Sequence, residues 1–118
     1  MERKEFEELV GRAMDALPDR FRRHLENLAI VVEDEPPPEI QEAFGDRLLL
    51  GLYRGVPLVD RTVWSNYPFP DMIEIYKRNI ERLCRTREEI VRQVQKTVMH
   101  EVGHYFGMDE EDLRRAGY

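Results

Sequence analysis

Apolar residues recur every three or four positions through the start of the chain. Phe6, Leu9, Val10, Ala13, Met14 and Leu17 share one helical face, and Pro18 closes the pattern. This predicts a helix over 3–17, with a second helical piece over 21–28. Leu28-Ala29-Ile30-Val31-Val32 has the length and β-branched content of a mostly buried strand. The acidic, proline-rich segment 33–39 stops that strand. Pro36-Pro37-Pro38 predicts a loop, because proline has no N–H to give a sheet or a helix interior. Residues 48–53 read as a second strand interrupted by Gly51, with a turn over 54–57. Val63, Trp64 and Tyr67 fall in an irregular stretch ended by Pro68-Phe69-Pro70. Apolar and charged residues alternate around Glu74, which predicts a third strand over 72–76. From Asn79 the period turns helical again. A short helix runs to Cys84, a long one from Thr86 to Phe106, and a last one from Glu110 to Ala116. Thr86 and Glu89 have capping-box spacing. The order of helix, three strands and helices predicts an α+β domain, with a small sheet of three or four strands covered by helices.

The length of 118 residues fits a single domain over 1–118. A net charge of -6 argues against nucleic acid as a partner, since phosphate binding needs a positive surface. The one basic cluster, Arg20, Arg22 and Arg23, is flanked by Asp19 and Glu26 and reads as the solvated face of a helix. Cys84 stands alone, so no internal disulfide forms and a reducing compartment is expected. It reads as a small packed residue rather than a catalytic thiol. The start MERKEFEELV has charges but no apolar core, so no signal peptide is expected. No apolar run approaches the ~18 residues of a membrane span. These readings predict a cytoplasmic protein.

Chemistry concentrates late in the long helix, at His100-Glu101-Val102-Gly103-His104. Histidines at i and i+4 stand one above the other on a helix, so both imidazoles can reach one ion. Three protein ligands and an open position characterise catalytic zinc, and a neighbouring carboxylate can take a proton from water. Glu101 has that position, so it is the candidate general base. Val91, Val94, Val98, Val102 and Tyr105 cluster on one face of this helix. His100 and His104 point about 130° away, alongside Gln93 and Thr97, on the geometry of 3.6 residues per turn. Core histidines would lie within the apolar stripe. These lie outside it, which favours one zinc ion held by His100 and His104.

A third ligand must come from elsewhere. His24, the remaining histidine, lies far off in sequence and reads as solvated. Gly107 can take positive φ and turn the chain back towards the histidines. Glu110, three residues on, is then the favoured third ligand, with Asp109 as the alternative. Asp109 also suits the N-cap of the last helix, with Asp112 three residues later. Gly103 costs the helix about 1 kcal/mol relative to alanine. Its missing side chain suggests room for the returning chain or for a substrate.

These residues resemble the zincin metallopeptidases, and more narrowly the minimal zincin family of small bacterial proteins with the pattern His-Glu-x-x-His-x-x-Gly-x-x-Asp. The stretch from Leu49 to Leu58, the proline-ended segment before Met72 and the final helices are similar to that family too. The resemblance implies a zincin-like fold, with an edge strand beside the active-site helix against which a peptide can lie. It implies His100, His104 and Glu110 as zinc ligands and Glu101 as the base. Glu110 stands where the pattern has Asp, one methylene longer. The implied activity is zinc-dependent hydrolysis of a peptide or protein. Tyr53, Trp64, Tyr67 and Tyr76 are candidates to line a groove, although core or rim packing is the favoured role of each. The competing expectation is a metal-binding or interaction domain that keeps this fold without catalysis.

Overall fold

The computed structural model describes residues 1–55 and 71–118. Its sheet is built around the most apolar strand. β3 (Asp71–Tyr76) lies between β1 (Leu28–Glu33) and β2 (Gly51–Arg54), in the order β1-β3-β2. β1 pairs parallel to β3, with Ile30 opposite Ile73, and β2 pairs antiparallel, with Tyr53 opposite Ile73. Parallel pairing puts β1 and β3 in the same direction, so the chain between them must cross over. Among the described residues, β2 pairs with a strand on one side only. Leu50 O accepts from Tyr76 N, which makes Leu50, Leu52 and Arg54 the residues bonded to β3. The backbone groups of Gly51 and Tyr53 therefore point away from β3.

Helices cover one face of this sheet. α1 (Arg3–Asp15) buries Phe6, Leu9, Val10 and Ala13, the stripe its period predicts. α5 (Arg87–Tyr105) buries Val94, Val98 and Val102 against that stripe and against Ile73 and Ile75. Between them, α4 (Lys77–Leu83) follows β3 directly and sends Ile80 into the same core. α2 (Asp19–Arg22) and α6 (Glu110–Ala116) are short flanking helices. Among the described residues there are six helices and one mixed three-stranded sheet, an α+β arrangement. No helix among them is long and apolar enough to cross a membrane.

The expected elements are present, with three differences. The second helical piece is a single turn, Asp19–Arg22, rather than 21–28. The second strand starts at Gly51 rather than Leu48, so the glycine opens it instead of interrupting it. The proline segment is not a loop throughout, because Pro38 is the first residue of α3 (Pro38–Phe44). An N1 proline suits a helix start: its φ is preset and its missing N–H has no partner to lose there. The second half of the expected turn, Val56-Pro57, and Val63, Trp64, Tyr67 and the stretch to Pro70 lie outside the described residues.

Candidate metal centre

The histidines sit on the last two turns of α5, and the chain beyond them folds back over the helix end. Gly107 has φ 87°, its N–H donates to His104 O, and Met108 N donates to Gly103 O. This pair of bonds is a Schellman closure, which needs a residue in the left-handed region. Asp109 then caps α6: its side chain accepts from Asp112 N while the Asp112 carboxylate accepts from Asp109 N. The box commits Asp109 to capping. Glu110, the next residue, projects back to the histidines.

His104 Nε2 lies 2.8 Å from Glu110 Oε1, and His100 Nε2 lies 3.1 Å from Oε2. One ligand atom from each of the three residues fits within 4.8 Å. Bonds of about 2.0–2.1 Å in a tetrahedron place neighbouring ligand atoms roughly 3.3 Å apart, and the two His–Glu spacings are close to that value. The donors point the same way. His104 Nδ1 donates to the Met108 carbonyl at 2.9 Å, while its Nε2 faces the Glu110 carboxylate. Both ring nitrogens thus face acceptors, and only a proton or a cation at Nε2 reconciles them. The Nδ1 bond fixes the tautomer that leaves Nε2 free for a metal, as a backbone carbonyl behind a metal-binding histidine does. Burial would raise the Glu110 pKa, but the hydrogen bonds from His100 and His104 outweigh it and hold this acid in its charged form.

Glu101 lies one helical step from His100 and is 7% exposed. Its Oε1 accepts from Tyr53 N at 3.0 Å, one of the β2 N–H groups that face away from β3. Oε2 has no partner among the described residues and is not sealed off, so it keeps access to the cleft. Burial raises the Glu101 pKa, Glu110 adds to the rise, and His104, His100 and the Tyr53 N–H oppose it. The cleft itself has a volume of about 880 Å³ and runs between α5, β2 and the chain from Phe44 onward.

Two glycines let these parts meet. A Cβ on Gly51 would lie 2.8 Å from Thr97 Cγ2 and 3.1 Å from Glu74 O, so glycine allows β2 to come down onto α5. A Cβ on Gly103 would overlap Leu113 Cδ2, and Leu113 of α6 is 0% exposed. Of the two uses suggested for Gly103, the returning chain fills the space. Gly103→Leu is expected to destabilise the chain by about 1–3 kcal/mol through overpacking, and to weaken metal retention by displacing α6. Urea melts with and without zinc would show both losses, and a variant matching wild type in both would remove this role for Gly103.

The other sequence candidates fall elsewhere. His24 is exposed, stacked edge-on to Phe106 and not part of the cluster. Tyr76 is fully buried, whereas Tyr53 lines the cleft and donates its hydroxyl to Asp71. The Tyr53 N–H and the Met108 carbonyl were not visible as functional groups in the sequence, because backbone groups carry no residue signature. Gly51 was the one available sign, since an isolated strand glycine marks a close approach of backbone.

A conserved hypothetical protein from Thermus thermophilus has a similar fold, with a TM-score of 0.62 over 98% of each chain at 22% identity. No curated protein is significantly similar to the chain. Residues 25–118, which hold the sheet, the histidine pair and Glu110, match the sequence profile of zincin-like metallopeptidases, and the chain therefore belongs to the zincin-like metallopeptidase family.

Proposed function

We propose that this protein is a zinc-dependent peptidase, with His100, His104 and Glu110 as metal ligands and Glu101 as general base. The observation that carries the reading is the convergence of both Nε2 atoms on one carboxylate, beside a buried Glu101 anchored to β2. When bound, zinc supplies Lewis acidity and brings the pKa of water towards about 7. Glu101 then does the proton work: Oε1 is held by Tyr53 N–H, and Oε2 takes the proton of the attacking water and returns it to the departing amine. Burial supports this role, because raising a carboxyl pKa makes it a stronger base. The reading includes a cytoplasmic protein acting as one domain on peptide or protein, with no part for nucleic acid or membrane.

Elemental analysis of chelator-free protein tests the centre directly. About one zinc per chain, with cleavage in a peptide library, supports the proposal. No metal uptake after zinc is offered would defeat it.

A purely structural zinc is the competing reading, and the packing of α6 speaks against it. Leu113 already docks α6 into the Gly103 gap, and the Schellman closure and capping box complete the turn. Removing metal is therefore expected to abolish activity and lower Tm, as loss of any ion bound only by the folded chain does, while the metal-free chain keeps a cooperative unfolding transition. Scanning calorimetry with and without chelator checks this, and collapse of the fold on chelation would favour the structural role.

A further inference from the structure

β2 and α5 meet at two points with matched spacing. Gly51 rests on Thr97, and Tyr53, two residues along the strand, donates its N–H to Glu101, four residues along the helix. Two strand residues advance about 6.6–6.8 Å and four helical residues about 6 Å. The steps nearly match, so the separation of β2 from α5 at the first contact carries over to the second.

The first contact has little room to give. A Cβ on Gly51 would meet Thr97 Cγ2 at 2.8 Å and Glu101 Cγ at 3.4 Å, with the Glu74 carbonyl of β3 at 3.1 Å beside it. Thr97 is buried, and its branched Cβ leaves it few rotamers. Its Oγ1 also accepts from Gln93 Nε2 at 3.1 Å, which keeps the methyl turned to the strand. Gly51 has no positive φ, so its backbone would accept alanine. Glycine gives a strand no side chain to pack. What it supplies here is the short distance.

We propose that Gly51 and Thr97 are positioning residues for the general base. Their contact seats the Glu101 carboxylate, with Oε1 on Tyr53 N and Oε2 left for the cleft. The consequence for rate rests on the peptidase reading, whereas the seating itself is measured in metal-free protein.

The test moves one methyl across the contact. Gly51→Ala adds it to the strand, and Thr97→Ser removes it from the helix while keeping the oxygen that Gln93 binds. The double variant conserves the volume. Amide exchange by NMR reads the Tyr53 N–H, with the Tyr76 N–H, which donates to Leu50 O, as the control in the same sheet. Either single substitution should speed Tyr53 exchange by about five- to tenfold, the worth of one hydrogen bond, and leave Tyr76 as in wild type. The double variant should regain most of the protection. In zinc-loaded protein, Gly51→Ala should lower kcat more than it changes KM. Made in Glu101→Gln, it should cost the residual rate little, because the group it displaces is already gone.

Unchanged Tyr53 exchange, equal acceleration at Tyr53 and Tyr76, or a double variant no better protected than Thr97→Ser overturns the proposal. An equal loss of rate in wild type and in Glu101→Gln does so too. If Gly51→Ala does not fold, Thr97→Ser against the double variant still decides it. The peptidase reading fails separately: a zinc-loaded wild type that cleaves no peptide removes the kinetic arm and leaves the exchange result standing.

Discussion

Glu101→Gln is expected to hold zinc as the wild-type chain does while losing roughly 10²–10⁴-fold in kcat/KM, the range that a positioned acid–base group contributes. The substitution keeps size and shape, and the amide oxygen still accepts from Tyr53 N, so the contact with β2 survives. What disappears is the ability to take a proton. His100, His104 and Glu110 are untouched, which separates this outcome from loss of the metal. Zinc content and cleavage rate measured on the same preparation decide it. Wild-type activity in the variant would remove Glu101 from the reaction and leave only the ligand set.

The same pair of proteins gives a pH test with no turnover. Burial raises the pKa of Glu101 in the folded chain. A group shifted this way contributes most to stability below its unfolded pKa, about 4.3 for a glutamate. The contribution is lost as pH rises through the folded value, where the fold must hold a buried carboxylate. Glutamine never ionises. In chelator, the Tm of Glu101→Gln minus that of wild type should therefore grow as pH rises above about 4. A flat difference would mean that burial costs the Glu101 carboxylate nothing.

Much of this centre was legible because helical periodicity is strong and local. The Val94, Val98 and Val102 stripe fixed which side of α5 meets the core, and therefore that His100 and His104 lie off it. Gly107 and the Asp109–Asp112 box marked the turn that brings Glu110 back. Pairing partners were not legible. β1 and β3 are joined in parallel across more than forty positions, and nothing in either strand names its neighbour. The bond from Tyr53 N to Glu101 spans 48 residues and depends on which parity of β2 faces outward. A shift of one residue would turn that N–H into the sheet. α3 was missed because a proline run serves equally as a loop or as a helix start.

Glu110→Ala is expected to weaken zinc binding by roughly 10²–10³-fold while leaving the fold in place. Structural zinc sites bind with about 10–16 kcal/mol shared by four ligands, so one ligand carries roughly a quarter of that. The Glu110 side chain is 68% exposed, and its contacts are the two histidines, so truncation removes little packing. Asp109→Ala is the contrasting variant: it removes the cap of α6 at a cost of about 1 kcal/mol in stability, with a much smaller effect on affinity. Competition with a chromophoric chelator would rank the two. The reverse ranking would make Asp109 the third ligand and Glu110 a bystander. Glu110→Asp carries the finer point, because it restores the residue type at the end of the His-Glu-x-x-His-x-x-Gly-x-x-Asp pattern. The full length of Glu110 spans to both Nε2 atoms from the first turn of a helix pinned by Leu113 and its capping box. A side chain shorter by one methylene would have to draw α6 inward against that packing. Glu110→Asp should therefore bind zinc more weakly than wild type in this chain. Equal or tighter binding would show that α6 yields more readily than the buried Leu113 implies.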